Sequence, residues 1–175
     1  MWFVTQVLTG KEEEVRKMCV QLGVCPEKDV FYFQSEQRKK IKGEMVTVLR
    51  ALFPGYLFFE TATEEDAKGL KLRLRKVPAM TKLLSAGDII VPVYPEEENF
   101  LRILGGDNHV IDASTGIIEG DVVQVTKGPL KGQEVLIRHI DRHKRRAILE
   151  VHLFHRTVEM PVGLEIIKKI PAPPK

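Results

Sequence analysis

The pattern of apolar residues changes near residue 105, and this change limits the chain to folds with two kinds of structure. Before residue 105, β-forming runs alternate with segments of helical periodicity. After residue 118, short β-forming runs follow one another within about 50 residues, separated by turn-forming residues. The first pattern predicts an α/β layer structure, and the second predicts a small β-barrel.

The stretch between these two patterns has the composition of a linker. Residues 105–118 are rich in small, polar and turn-forming residues and show little periodicity, which predicts a flexible connection. The predicted domains are therefore residues 1–104 and 119–170. The proline-rich residues 171–175 predict a disordered tail. A chain of 175 residues is long enough for two domains, each with its own core.

The first predicted helix follows an opening strand. Thr9 with Glu12 three residues later fits a capping box, and apolar residues recur at helical spacing from Val15 to Leu22. Gly23 then ends the helix. This spacing directs Cys19 toward the core, where a thiol is a small buried hydrophobe and not a reactive group.

The rest of the first domain is predicted to contain four strands, a basic loop, a further helix and one segment with two possible structures. Strands are predicted where β-forming residues cluster, at residues 2–7, 30–33, 45–49 and 56–59. The basic stretch Gln37–Gly43 predicts a loop. Residues 63–74 fit a helix and a strand equally well, because two periodicities overlap there. Pro95, followed by three glutamates, predicts a helix that ends at Gly105.

Several classes of protein are excluded or disfavoured. No run of about 18 apolar residues occurs, and the first residues lack the pattern of a signal peptide, so we expect a cytoplasmic protein that neither spans nor binds a membrane. Cys19 and Cys25 match no zinc spacing and are expected to be free thiols. No phosphate-binding loop or nucleophile elbow is present, so we expect no enzymatic activity, catalytic residue or cofactor.

Positive charge is concentrated in the second domain. Residues 120–175 carry 11 lysines and arginines against 6 acidic residues, whereas residues 1–111 carry 16 of each. Such asymmetry favours nucleic acid as a partner of the basic part. Four of the five histidines also lie there. Their spacing resembles that of metal ligands, but residues four apart on a strand lie more than about 10 Å apart, so we expect no metal site.

Both predicted domains carry motifs in a characteristic order. In the first domain these are Trp2-Phe3-Val4, Phe53–Phe58 and Val77-Pro78; in the second they are Gly120–Val123, Gly128–Gly132, Ile140-Asp141 and Phe154–Thr157. In these motifs the chain resembles NusG-type transcription elongation factors along nearly its whole length. The resemblance implies an α+β fold. An N-terminal NGN α/β sandwich, with an antiparallel sheet flanked by helices, would precede a C-terminal small KOW β-barrel, and residues 63–74 would be helical.

The resemblance also implies partners. The NGN domain would bind the clamp helices of the largest subunit of RNA polymerase, and the KOW domain would contact an RNA hairpin in the nascent transcript. Non-template DNA and the ribosome would be further partners of a monomeric protein. The residues that match the polymerase-binding surface are Trp2, Phe53, Pro54, Gly55, Tyr56, Phe58, Arg73 and Val77. Aromatic anchors dominate such interfaces, but the same rings could simply form the domain core.

The candidate RNA-binding residues are the cations and histidines of the second domain. Phosphates bind such residues in a salt-dependent manner, and arginines also read unpaired bases. The alternative is a solvated turn without a ligand. The candidates are Lys127, Lys131, Arg138, His139, Arg142, His143, Lys144, Arg145 and Arg146.

Within the family, Asp141–Arg146 and Leu130-Lys131-Gly132 look most like LoaP, a paralogue that drives processive antitermination. This likeness implies a factor that suppresses termination and is recruited by an RNA leader element. A housekeeping NusG that couples polymerase to the ribosome or to Rho is the alternative, and an RNA-modifying enzyme with a KOW accessory module is a third. Val135 and His155 stand where the family has glycine, so we expect those two loops to differ in shape.

Overall fold

A computed structural model describes residues 1–78, 80 and 90–172 of the chain. The described residues form two compact units. The first unit comprises residues 1–32 and 53–100, and the second comprises residues 33–52 together with the chain from residue 101 onward. Residues 33–52 thus belong to the second unit although they precede the predicted linker. The domain limits 1–104 and 119–170 remain a prediction.

Strands predominate in the second unit, whereas the first combines a sheet with helices. The α-helices are α1 (Glu12–Gln21), α2 (Glu64–Leu74) and α3 (Pro95–Gly105). Short 3₁₀ helices cover Glu27–Asp29 and Glu134–Leu136. The strands are β1 (Trp2–Gln6), β2 (Val30–Phe31), β3 (Gln34–Ile41), β4 (Glu44–Ala51), β5 (Tyr56–Glu60), β6 (Val91–Pro92), β7 (Val110–Ile111), β8 (Ser114–Glu119), β9 (Val122–Lys127), β10 (Ile137–Asp141), β11 (Arg146–Leu153) and β12 (Arg156–Ile170).

The first unit is built on an antiparallel sheet in the order β2-β5-β1-β6. Because side chains alternate along a strand, Leu57 and Phe59 point to one face of β5 and Phe58 points to the other. Leu57 and Phe59 lie in a core cluster with Val15 and Cys19 of α1 and with residues of α2. The helices therefore cover one face of the sheet, and Cys19 is buried as predicted.

The starts of α1 and α2 differ from the sequence prediction in opposite ways. The capping box predicted at Thr9 is wrong, because α1 begins at Glu12 with Lys11 at the cap and no side-chain cap bond. A capping box is present instead at α2, where Thr63 accepts from the Asp66 N–H and the Asp66 carboxylate accepts from the Thr63 N–H. Residues 64–74 are helical, as the family resemblance implied.

The basic stretch predicted as a loop is a strand. Residues 34–41 form β3, which pairs antiparallel with β4 along its whole length and parallel with β7. The two strands meet at a two-residue turn in which Lys42 (φ 50°) and Gly43 (φ 91°) both have positive φ, as a tight hairpin requires. Cross-strand pairing thus overrides the low strand propensity of a lysine-rich segment.

The rest of the second unit is a sheet in the order β10-β11-β12-β8-β9, with a core that includes Leu149, Val151 and Met160. The strand β12 pairs antiparallel with β11 through its first half and parallel with β8 through its second half. This long strand joins two hairpins into the predicted barrel. The α+β fold, an NGN-type sheet with helices plus a KOW-type barrel, is confirmed.

Part of the predicted linker, residues 105–118, has regular secondary structure. Helix α3 includes Gly105, and the segments 110–111 and 114–119 are strands. Ser114 is buried, and its Oγ accepts a hydrogen bond from the Leu130 N–H at 3.1 Å. Pairing with β9 and β12 orders a segment whose composition alone is typical of a coil. Of the predicted tail, residues 171–172 lack regular structure and residues 173–175 lie outside the described residues.

In the described part of the chain, no helix is long and apolar enough to cross a membrane. The same residues contain no group of three or more histidine, cysteine or acidic side chains placed to hold a metal ion.

Candidate functional site

The turn before β5 is fastened by a buried carboxylate. Glu12 Oε1 accepts hydrogen bonds from the Gly55 N–H at 2.6 Å and from the Gly10 N–H at 3.1 Å. The Val7 N–H donates to the Gly55 carbonyl at 2.8 Å, and the Tyr56 N–H donates to the Phe53 carbonyl at 3.1 Å. Gly55 has φ 83°, which glycine adopts without strain. These bonds hold the Phe53–Tyr56 turn in one conformation.

Most of the predicted polymerase-binding aromatic residues form a buried cluster. Trp2 packs edge-on against Phe31 with ring centroids 5.0 Å apart, and Phe31 stacks on Phe58 at 5.6 Å. Phe53 lies 6.0 Å from Phe58. Trp2, Phe53 and Phe58 are each less than 5% exposed. The structure therefore places these three rings in the interior, as the core alternative anticipated, and does not present them as an exposed patch.

The other predicted polymerase-binding residues lie at different places in the first unit. Pro54 is exposed and Tyr56 is half-buried, with its hydroxyl oxygen accepting from Gln6 Nε2 at 3.3 Å. Val77 is buried in the core cluster on the helical side of the sheet. Arg73 donates from Nε to the Val24 carbonyl at 2.7 Å. Of this set, Pro54 and Arg73 are exposed.

The thiols of the first unit are not activated. Burial, followed by the nearby Cys25, raises the pKa of Cys19 to about 12. Burial, followed by the charge of Asp29, raises the pKa of Cys25 to about 11 despite Arg73. Both groups are therefore protonated at neutral pH, and the thiolate is the reactive form.

The predicted RNA-binding residues are concentrated on the turn between β10 and β11. Asp141 organises this turn, because its Oδ1 accepts from the Lys144 N–H at 3.0 Å. Its Oδ2 lies 3.7 Å from Lys144 Nζ and 3.9 Å from Arg146 Nε. The hydrogen bond from Lys144, together with the charges of Lys144, Arg146 and His143, lowers the pKa of Asp141. Arg145 is the last residue of the turn before β11 and has a positive φ of 49°.

One cavity of about 670 Å³ brings several of these predicted residues together. It is lined by His139, Arg142, His143 and Arg145, together with Ile140, Asp141, Glu165 and Ile166. Arg138 is exposed on β10, beside this group. Lys127 ends β9 and Lys131 lies in the following turn, so the structure does not place these two lysines on the 141–146 turn.

Glu165 lines this cavity and binds Arg38, and neither residue was predicted from the sequence to belong to a site. The Glu165 carboxylate accepts a hydrogen bond from Arg38 Nη1, and its other oxygen lies 3.7 Å from Arg145 Nε. The available sequence signal was weak: a basic stretch around Arg38 and an acid within a basic C-terminal segment. Arg38 and Glu165 are 127 residues apart in the chain, so only the fold shows their contact.

Comparison with protein-family models shows which family this chain belongs to. A family model described as transcription termination factor NusG matches residues 1–102, which is more than half of the chain. The chain belongs to the NusG family. The KOW motif matches residues 119–154, which include the basic turn. NusG-family proteins are transcription termination and antitermination factors.

The chain is similar along nearly its whole length to proteins named NusG. The transcription termination/antitermination protein NusG of Thermus thermophilus is 26% identical over 182 aligned positions, covering 98% of both chains. The NusG of Staphylococcus aureus is 23% identical and covers 97% of this chain and 95% of its own. A solved structure that shows domain interaction in Thermotoga maritima NusG aligns with 94% of this chain at 22% identity, with a TM-score of 0.48.

Proposed function

We propose that this NusG-family protein suppresses termination by binding RNA polymerase through its NGN region while its KOW barrel contacts an RNA hairpin in the nascent transcript. The observation that carries this proposal is the basic turn 142–146. Arg142, His143, Lys144 and Arg145 form a single turn, and Arg146 begins β11 directly after it. The Asp141 carboxylate accepts from the Lys144 N–H and so holds the turn. LoaP-type antitermination is the family behaviour that this turn fits.

The chemistry of the turn suits a structured RNA. Arginine and lysine bind phosphates and release counterions, which gives affinity that depends on salt. Arginine guanidinium groups also stack on unpaired bases and donate hydrogen bonds to them, which gives selectivity for loops. His139 and His143 line the adjoining cavity and add rings of the kind on which unpaired bases stack.

The polymerase half of the proposal relies on family membership and on the fastened turn before β5. Pro54 and Tyr56 offer a proline and an aromatic ring beside the sheet of the first unit. A preorganised turn loses little conformational entropy on binding. We propose the clamp helices of the largest polymerase subunit as the contact, with non-template DNA and the ribosome as further partners.

A housekeeping NusG is the second candidate, because the chain aligns with 98% of Thermus thermophilus NusG. The two candidates differ in RNA selectivity. A factor recruited to particular transcripts binds one folded leader more tightly than a scrambled RNA, whereas a general factor binds both alike.

The test compares the wild-type chain with R142A/K144A/R145A/R146A on a labelled leader hairpin and on its scramble, at several salt concentrations. We expect the variant to bind more weakly and to flatten the dependence of log K on log salt by up to four ion-release units of about 0.7 to 0.9 each. Equal slopes of log K against log salt for the wild type and the variant would show that the turn does not contact RNA. Equal affinity of the wild type for both RNAs would favour the housekeeping function.

A further inference from the structure

The β3–β4 hairpin carries a second basic segment that belongs to the same compact unit as the barrel. Arg38, Lys39, Lys40 and Lys42 are all exposed on β3 and the turn that follows it. The proposed function gives these residues no role. Arg38 is brought near the basic turn by the fold, because it and Arg145 both bind Glu165 although more than 100 residues separate them in the chain.

Two hydrogen bonds and one close approach hold the hairpin in register with the barrel. Ser35 Oγ donates to the Pro161 carbonyl at 3.0 Å, and the Ala113 N–H donates to Glu36 Oε2 at 3.1 Å. At Gly163, an added Cβ would overlap the Glu36 carbonyl oxygen and would lie 2.9 Å from Ala113 Cβ. The hairpin backbone therefore lies directly on β12.

Glu165 of β12 connects the two basic segments. Its carboxylate binds Arg38 of the hairpin and Arg145 of the turn at the same time. Two guanidinium groups that share one carboxylate leave an excess of positive charge. Lys40 points to the same face of β3 as Arg38 and lies about 7 Å further along the strand. The hairpin thus extends the positive surface of the turn in one direction.

We propose that the β3–β4 hairpin and the 141–146 turn form one composite site for the phosphodiester backbone of RNA. This inference rests on the proposed function, because it extends the RNA contact from the KOW barrel to the hairpin. Glu165 orders Arg38 and Arg145 before RNA arrives, which lowers the entropy cost of binding. Lys40 and Lys42 then neutralise phosphates beyond those that the turn contacts, and Lys39 adds positive charge on the other face of β3.

The experiment measures binding of the full chain to two labelled probes, oligouridine and an RNA hairpin with an unpaired loop, across a range of salt concentrations. The hairpin variant is K39A/K40A/K42A, and the charge-matched control is K17A/K28A/K68A, three exposed lysines of the first unit. We expect the hairpin variant to lower affinity and to flatten the salt dependence by up to three ion-release units of about 0.7 each for a single strand. The control should leave the slope unchanged, and K39R/K40R/K42R should retain it.

Comparison with R142A/K144A/R145A/R146A separates this inference from the proposed function. If the turn variant flattens the salt dependence and the hairpin variant does not, the composite site is wrong and the barrel site survives. If neither variant changes the slope, both proposals fail. A control that weakens binding as much as the hairpin variant would show only the effect of net charge.

Discussion

At the scale of single residues, the buried carboxylate of Glu12 fixes the turn that leads into β5. It accepts from the buried Gly55 N–H, which would otherwise lack an acceptor, and from the N–H of the exposed Gly10. Hydrogen bonds to a charged group contribute about 1.5–3 kcal/mol each. We expect Glu12→Ala to lower the free energy of unfolding by about 3 kcal/mol in urea denaturation. Glu12→Gln, which keeps an acceptor oxygen, should lose less, and Glu14→Ala at an exposed position should lose little. A small change in the free energy of unfolding for Glu12→Ala would show that the turn is stable without this carboxylate.

Asp141 gives the second prediction at this scale, through the pH dependence of the basic turn. Its pKa is lowered in the folded state by the hydrogen bond from Lys144 and by neighbouring positive charges. A lowered folded pKa stabilises the turn above the unfolded pKa, and that contribution is lost as the pH falls through the folded pKa. The turn should therefore keep its conformation from neutral pH down to the acid range.

The Lys144 amide proton reports this titration by NMR. We expect its chemical shift to change with a midpoint below the usual aspartate pKa of about 4. In Asp141→Asn this transition should disappear. A midpoint at or above the usual value would mean that the turn is not held by the aspartate in solution.

At the scale of secondary-structure elements, the turn between β11 and β12 keeps a glycine-type conformation without glycine. Leu153 pairs with Arg156, so Phe154 and His155 form a two-residue loop with φ 55° and 60°. This is the pattern of the favoured hairpin turn. His155 thus has the positive φ that a glycine adopts without strain. At the other substituted glycine position, Val135 lies in a 3₁₀ helix and is exposed.

The positive φ at His155 has a measurable cost, because a left-handed conformation is unfavourable for a residue with a Cβ by about 1–2 kcal/mol. We expect His155→Gly to raise the free energy of unfolding by about 1 kcal/mol, since greater freedom of the unfolded chain offsets part of the gain. His152→Gly, at an exposed position within β11, should instead lower it by about 0.5–1 kcal/mol. A decrease for both variants would indicate that the His155 side chain itself stabilises the loop.

Local sequence patterns predict some of these elements and miss others. Helix α1, helix α3 and most barrel strands follow from local periodicity and from glycine and proline positions. Strands β3 and β8 do not, because their own residues favour loops and each also pairs with a strand remote in the chain, β3 with β7 and β8 with β12. The contiguous basic turn was predictable from sequence. The Arg38 and Glu165 pair was not, because it is created by packing.

At the scale of the whole molecule, each compact unit is built from two separate parts of the chain. The site of first cleavage by a protease is therefore predicted from local exposure and strand pairing. Residues 106–108 are exposed and lie between α3 and β7, whereas residues 114–119 are paired on both sides. We expect limited proteolysis with Asp-N to cut first before Asp107. Mass spectrometry of the fragments identifies the site. Early cleavage within residues 114–119 would show that β8 is not stably paired in solution.

The central place of β12 also governs how the barrel is made. This strand of 15 residues is synthesised after β8, β9, β10 and β11, yet it lies between the two hairpins that they form. Until β12 leaves the ribosome, each hairpin exposes an unpaired edge to which another chain could add. Closure of the barrel therefore waits for β12. The two hairpins must avoid association with other chains during the interval between the emergence of β8 and that of β12.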